Sequence, residues 1–380
     1  LNGSAAFPGH TGLTSGLLCV FLKSGVKRVD QAGFLNRNPG VSANMQSPLR
    51  RRILVTGGAG FIGSHIVDRL CAAGHVVGVL DDLSTGFLEN VPPEVCLYEV
   101  DLKHRAKVEE VLQEFRPDTI CHHAAQVSVS RSVKAPVWDA ETNILGWLHL
   151  LEEACNVGVR RVVLAASGGT VYGETEVPAT EDWAPSPTSP YGIAKRVGER
   201  YLEFFSRERG LEGVVLRYSN VYGPRQNPHG EAGVVAIFCQ HLLLGEPARL
   251  NDEGRCERDF VFVGDVTRAN LLALQAPLEQ RFVILNVGTG RSTSIRELER
   301  KVRDILSKIT HRHFPEPVKG PRREGDLLRS VLNADRARQI LGWQPEVSLE
   351  KGLRDTVQWF YDRAVQVSSP DTPRPQPTCA

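Results

Sequence analysis

No stretch of this chain is long and apolar enough to span a bilayer. The longest apolar run near the start, Leu17 to Leu22, is only six residues. It has no basic region before it and no small-residue cleavage site after it, which argues against a signal peptide. An excess of one charge is also lacking. Lys plus Arg is 45 and Asp plus Glu is 44, a net charge of +1, so no basic face for nucleic acid is predicted. The local run Arg50 to Arg52 reads as a solvated entrance to a strand. Paired cysteines are missing. The eight (Cys19, Cys71, Cys96, Cys121, Cys155, Cys239, Cys256 and Cys379) are scattered without a CxxC pair. That pattern speaks against a disulfide framework or a zinc site and suits a reducing, cytoplasmic compartment. His122–His123 and His311/His313 have no carboxylate or cysteine at ligand spacing, so no metal is expected. Methionine is nearly absent too: Met45 is the single one. Residues 1–44, rich in Gly, Ser and Asn, are expected to precede the natural start and to be poorly ordered.

What the chain does have begins at Ile53, where it reads ILVTGGAGFIG. Ile53 to Thr56 predicts a buried strand. Gly57, Gly60 and Gly63 follow at a spacing of three, and Phe61 to Ala73 predicts a helix closed by Gly74. Strand, glycine turn and helix N-terminus together form a pyrophosphate site. The glycines let the backbone approach the phosphates, and free N–H groups of the first helical turn face the charge. A second strand, His75 to Leu80, ends at Asp81, where an acid can hold a ribose diol and repel the extra phosphate of NADP. NAD is therefore the expected cofactor.

At 380 residues the chain is long enough for two domains. Further strands are predicted at Val95–Val100, Thr119–His123, Arg161–Ala166 and Val214–Tyr218. Helices are predicted at Lys103–Phe115, Trp138–Asn156 and Tyr191–Arg209. This alternation predicts an α/β fold, a Rossmann-type doubly wound parallel sheet, over 50–225. Asp81, Asp101, Ala124, Ser167 and Asn220 lie at or just past strand ends and can converge on one crevice. After 225 the elements shorten and are broken by Gly and Pro, so 226–365 is expected to be a smaller mixed α/β lobe that binds the substrate. Residues 1–49 are expected to be a disordered extension and 366–380 a disordered Pro-rich tail.

Tyr191-Gly-Ile-Ala-Lys195 places a tyrosine and a lysine four apart on one helix face. An ammonium there can stabilise a tyrosinate and draw its pKa from about 10 towards neutrality. A tyrosine so tuned can remove a proton from a sugar hydroxyl. Ser167, at the end of the fifth strand, can bond the same hydroxyl. Taken alone, Tyr and Lys at this spacing more often just pack on a helix; the surrounding nucleotide-binding pattern favours the chemical reading.

These motifs carry a family resemblance. TGGAGFIG at 56–63, HAAQ at 123–126, SGGTVYGE at 167–174, SPYGIAK at 189–195 and LRYSNVYGPRQ at 216–226 resemble the extended short-chain dehydrogenase/reductases. With ERDFVFVGDV at 257–266, NVGTG at 286–290, RREGDL at 322–327 and LGWQPEVSLEKGL at 341–353, the pattern is similar to nucleotide-sugar epimerases, nearest to the UDP-glucose 4-epimerases. The resemblance runs from about 52 to 363. It implies that Gly57, Gly60, Phe61, Ile62 and Gly63 cradle the NAD pyrophosphate and that Asp81 holds the adenosine ribose. Asp101 and Leu102 would lie beside the adenine, and Ala124, Ala125, Gln126 and Tyr218 would line the cofactor groove. Tyr191 would be the base, and Lys195 its partner on the nicotinamide ribose. Ser167 would touch the sugar, and Asn220, Arg258, Arg323 and Asp326 would hold the nucleotide diphosphate. Ser330, four after Asp326, would gate the pocket around the sugar's C2 substituent, its small side chain admitting an N-acetyl group. A homodimer through two helices of the first domain is also implied.

Two positions depart from the family pattern. Gly168 stands where members often carry Ser or Thr, with Ser167 one residue earlier, and Val127 replaces a common lysine. Sugar dehydratases of the superfamily place an Asp-Glu pair where this chain has Gly169 and Thr170, which cannot perform the acid–base work of water elimination. What remains is 4-epimerisation of a UDP-sugar through a transient 4-keto sugar. A nucleotide-sugar 4-reductase or another extended short-chain dehydrogenase/reductase, and a non-catalytic NAD-binding scaffold, stay open as alternatives.

Overall fold

The structure is a computed structural model that describes residues 50–229, 233–322 and 326–368; the expectations for residues 1–49 and 369–380 lie outside these. Ile53 to Thr56 are wholly buried in the strand Arg52–Thr56 (β1), as continuous apolar runs are in a parallel sheet covered on both faces. Helix Phe61–Ala72 (α1) lays Ile66, Val67 and Leu70 against that sheet. Left-handed Gly74, at φ +80°, follows it and leads to strand Val76–Asp81 (β2). Cys96–Glu99 (β3), Arg105–Phe115 (α2) and Thr119–His122 (β4) come next.

The single helix expected over Trp138–Asn156 is differently built. A separate helix, Val129–Lys134 (α3), precedes it. Pro136–Ala140 (α4) and Gly146–Asn156 (α5) are joined by a π-helical turn over Glu141–Leu145, a widening common at functional sites. Arg161–Ser167 (β5), Gly168–Tyr172 (α6), Pro190–Arg209 (α7) and Glu212–Tyr218 (β6) complete the alternation. Helix α7 begins sharply because Ser189 accepts the Gly192 N–H and Pro190 occupies the first turn. Left-handed Gly210 ends it.

The second half of the chain holds Asn220–Tyr222 (β7), Val234–Leu243 (α8), Arg249–Asn251 (β8), Glu257–Arg258 (β9) and Phe260–Phe262 (β10). Val263–Gln275 (α9), Phe282–Val287 (β11), Thr293–Ser294 (β12), Ile295–Thr310 (α10) and Val318–Gly320 (β13) follow. Arg329–Ser330 (β14), Asp335–Leu341 (α11) and Leu349–Ser368 (α12) complete it. Helix α12 therefore extends three residues into the segment expected to be a disordered tail.

The main sheet has seven parallel strands in the order β3-β2-β1-β4-β5-β6-β11. Strand order reverses between β1 and β4, the point where such sheets open a ligand crevice. One face is covered by α1, α9 and α11, the other by α2, α5 and α7. This revises the expected division at 225/226. Strand β11 pairs with β6 in full register from Phe282↔Gly213 to Val287↔Tyr218, and α9 buries Val266, Ala269 and Ala273 on the same sheet. The late elements α8, α10, α12, β8 and β10 form a separate core around Phe238, Leu298, Val302 and Val357.

A buried ion pair braces β6 against α7 and, through Tyr172, against β11. Arg217 on β6 grips Glu199 on α7 through Nε–Oε1 at 2.7 Å and Nη2–Oε2 at 2.6 Å, their side chains 1% and 0% exposed. Arg217 also donates to the Tyr172 hydroxyl at 2.7 Å, which donates to Asn286 on β11 at 2.8 Å.

Candidate active site

The glycine turn is packed so closely that no side chain fits. A Cβ on Gly57 would lie 2.6 Å from the Ala124 nitrogen, and one on Gly63 would lie 2.1 Å from the Gly57 oxygen. Gly57 is also left-handed, at φ +70°. Helix α1 starts at Gly60 without a side-chain cap, so the N–H groups of Phe61, Ile62 and Gly63 point out of the first turn. At the end of β2 the Asp81 carboxylate is buried, accepting the Ala59 N–H at 3.0 Å and the Leu83 N–H at 2.9 Å. Burial pushes its pKa up, and those two N–H groups oppose the shift. A backbone cradle for phosphates beside a fixed carboxylate fits an NAD molecule.

The other residues assigned to the cofactor groove differ in where their side chains go. Asp101 sits past β3, its Oδ1 accepting the Lys103 N–H at 2.9 Å. Leu102 turns into the core between α2 and α5, and its carbonyl accepts from His149 at 3.1 Å. Ala124 and Ala125 are half-buried beyond β4, whereas the Gln126 side chain turns inward to Asp139. Tyr218 is placed otherwise than expected. Strand alternation sends its phenol into the core, where it meets His123 Nε2 at 3.0 Å and receives the Asn270 amide at 2.8 Å. His122 bonds Thr56 at 2.8 Å and stacks on Trp147. Burial and the nearby Lys195 pull the His123 pKa down to about 3, so it is neutral. Among the described residues no group of His, Cys, Asp and Glu is arranged to hold a metal ion, and no helix is long and apolar enough to cross a membrane.

Tyr191 lies in the first turn of α7, buried, with its N–H donated to Ser132 Oγ on α3 at 3.2 Å. Lys195 Nζ donates to the Ala165 carbonyl on β5 at 3.2 Å and stands 5.7 Å from the Tyr191 ring centroid. The expected lowering of the tyrosine pKa by this lysine is not what these side chains produce. Burial pushes the phenol well up and the Asp139 carboxylate adds to the shift. Burial also pulls the Lys195 ammonium down to about 8, against Asp139 and Glu199.

Ser167 ends β5, half-buried, and the glycines after it form the short helix α6. That helix abuts the start of α7: a Cβ on Gly192 would lie 2.7 Å from the Thr170 oxygen. On its other side, a Cβ on Gly168 would meet Leu332 Cδ1 at 2.6 Å, and one on Gly169 would stand 3.3 Å from Ser330 Oγ. The glycines at 168 and 169 thus make room for the 330–332 segment. Ser330 is buried on β14, paired with Arg258 on β9, and Arg258 forms an ion pair with Asp326. Asn220 starts β7 and pairs with Phe260, two residues past Arg258. Arg323 lies outside the described residues.

Three residues that the sequence reading passed over organise the site. Asp259 is fully buried, accepting the N–H groups of Thr289, Gly290 and Leu332 and the Thr289 hydroxyl. It thereby knots the NVGTG segment to the strand bearing Ser330. Asp139 and Asn143 bond each other and Gln126. Their signal was present: two polar residues four apart on the buried face of a helix.

The sequence profile of the NAD dependent epimerase/dehydratase family matches residues 53–288. The UDP-glucose 4-epimerase of Mycolicibacterium smegmatis is 45% identical over 320 residues, 82% of this chain and 99% of the relative. The crystal structure of a UDP-glucose 4-epimerase from Thermotoga maritima, with UDP-glucose, is 47% identical and superposes with a TM-score of 0.78 over 82% of this chain and 99% of that one. That of the Thermus thermophilus UDP-glucose 4-epimerase, in complex with NAD, is also 47% identical, with a TM-score of 0.76 over 82% of this chain and 99% of that one. Matched through its glycine cradle, its central strands and its YxxxK helix, the chain belongs to the NAD dependent epimerase/dehydratase family.

Proposed function

We propose that the chain is an NAD-dependent isomerase that interconverts a UDP-sugar with its 4-epimer. The observation that carries this reading is the convergence of three segments. Helix α7, which bears Tyr191 and Lys195, Ser167 at the end of β5 and the Ser330 strand all adjoin the glycine turn of α6. NAD, when bound, accepts a hydride from the sugar C4 and returns it.

The chain's own residues supply the rest. Tyr191 takes the proton of the 4-hydroxyl and later gives it back, while Ser167 orients that hydroxyl. Lys195, anchored on Ala165, keeps a positive charge beside the phenol. Arg258 offers a forked donor to the diphosphate and Asp326 a carboxylate to the ribose, with Asn220 and Arg323 assisting. Gly169 and Thr170 provide no acid for dehydration. The main-sheet domain, including α9, β11 and α11, carries the cofactor, and the later elements carry the nucleotide sugar.

A homodimer fits the same frame. Val137 and Leu145 on the α4–α5 run are 72% and 50% exposed, and Ile193, Tyr201 and Phe204 on α7 are 49%, 36% and 46% exposed. These two helices pack together, so a second copy can cover both stripes in a four-helix contact. The six described cysteines are free thiols, which suits the cytoplasm.

The test is to incubate the purified full chain, without added cofactor, with UDP-galactose, UDP-glucose and their N-acetyl forms, and to separate the products. Interconversion of 4-epimers supports the reading. No turnover without NADPH, with stoichiometric NADPH consumption, would replace it with a 4-reductase.

A further inference from the structure

Asp139 is 1% exposed on α4, and its Oδ1 accepts from Gln126 Nε2 at 2.8 Å and from Asn143 Nδ2 at 3.0 Å. Asn143, in the π-helical turn, clasps the Gln126 backbone, accepting its N–H and donating to its carbonyl, both at 3.0 Å. Gln126 Nε2 also donates to the Ser128 carbonyl at 2.8 Å. Ser128 Oγ caps α3 by accepting the Arg131 N–H at 3.0 Å, and Ser132 Oγ on α3 accepts the Tyr191 N–H. A continuous hydrogen-bonded path thus joins Asp139, the 124–126 loop and the start of α7, which itself packs against α4.

Two amides orient a buried carboxylate but do not neutralise it. The charged groups on the elements around it leave one candidate counter-charge. Arg131 and Lys134 on α3 and Glu141 on the π-helical turn are exposed and screened by water. On α7, Glu199 is taken up by Arg217 and Arg196. On α5, His149 bonds the Leu102 carbonyl, and Glu152 and Glu153 pair with Arg105. His122 and His123 are held neutral by burial. Lys195 remains, and it and Asp139 act on each other.

Resting on the epimerase reading, we propose that Asp139 is a positioning residue of the reaction: through Gln126, Asn143 and α3 it ties the cofactor-groove loop to the helix bearing Tyr191 and Lys195, its own helix packed against theirs.

The sign of its electrostatic effect is definite. The Asp139 carboxylate raises both Lys195 and Tyr191. Removing the charge lowers both. With the phenol raised above the ammonium, the form that holds tyrosinate and ammonium together is most populated between the two ionisations, so both limbs of the activity profile follow this pair. In Asp139→Asn, which keeps the shape and the Oδ1 acceptor, both limbs of the kcat/KM profile for UDP-galactose should move to lower pH by about one unit. Asp139→Glu keeps the charge and should leave both limbs within about 0.3 unit of wild type. Fixed limbs in a folded Asp139→Asn protein, or limbs moved by a unit in Asp139→Glu, would overturn the proposal. Ultraviolet titration of the phenol, taken as the difference between chains with and without Tyr191→Phe, needs no substrate. It should show Tyr191 ionising at lower pH in Asp139→Asn. An unchanged phenol there defeats the proposal even if the enzyme works; a shifted phenol in a chain that turns over no UDP-sugar defeats the epimerase reading alone.

Discussion

Gly168→Ser installs the side chain that the family often carries, and the structure predicts that it harms this protein. A Cβ at 168 would stand 2.6 and 2.7 Å from the two Cδ atoms of Leu332 and 3.2 Å from its Cγ. Leu332 is 1% exposed, packed with Tyr172 and Ala179, and its N–H is tied to Asp259. Its side chain can therefore yield only by repacking against Tyr172 and Ala179 or by moving the strand that holds Ser330. Overpacking of this kind costs about 1–3 kcal/mol. At about 2 °C per kcal/mol for a chain of this size, the thermal midpoint should fall by about 2–6 °C. Displacing Ser330 and its neighbour Arg258 should raise the KM for UDP-galactose about tenfold, equivalent to about 1.4 kcal/mol. Leu332→Ala alone leaves a cavity and costs about 2–5 kcal/mol. The double variant lets the serine occupy that cavity, so its cost should fall short of the sum by about 1–2 kcal/mol. The assay is a double-mutant cycle read in both Tm and KM. Strict additivity would refute the contact, and higher turnover in Gly168→Ser would refute Ser167 as the hydroxyl that meets the sugar.

Tyr191→Phe should keep its cofactor but lose about a hundred- to ten-thousand-fold in turnover, and near-normal turnover would remove Tyr191 from the mechanism. Asp81→Asn should weaken NAD binding and relax discrimination against NADP in a cofactor-binding titration, because the repelling charge is gone; an unchanged preference contradicts the ribose assignment. Ser330→Tyr should suppress turnover of the N-acetyl sugars while sparing UDP-galactose, and equal loss on both classes counts against the gate. Arg217→Met leaves Glu199 buried without its main partner and should cost about 3–5 kcal/mol of stability, seen as a lowered thermal midpoint; a shift under a degree would mean that water replaces the arginine.

The parts of this molecule that were legible in the sequence are those in which short-range pattern and long-range partner agree. Ile53 to Gly63 reads as strand, turn and helix because buried strand, forced glycine and free helix N-terminus are consecutive in the chain, and β2 closes the first βαβ unit beside them. The strand FVILNV at 282–287 is as apolar as β1 and was still missed. Its partner β6 lies far back in the chain, beyond a segment whose glycines and prolines suggested a separate lobe. Tyr218 shows the same limit at one residue. The motif placed it at a strand end beside the cofactor, but alternation along β6, fixed by which face α7 covers, turned its phenol to His123 and Asn270. The Tyr191–Lys195 pair was found by spacing, and its electrostatics were misread. Spacing reports which helix face two residues share, not how deeply that face is buried or which third charge lies beside it. Here burial and Asp139 both raise the phenol, so the pair must be studied as a triad. Asp139 and Asn143 interrupt a helix stripe with polar groups, and a polar residue in such a stripe declares its purpose only when its partner is known. That partner is Gln126, on a loop that the motif had already assigned to the cofactor. A polar pair four apart on a helix predicted to cover a nucleotide-binding sheet is therefore better read as an anchor for a loop at the strand ends than as a flaw in the stripe.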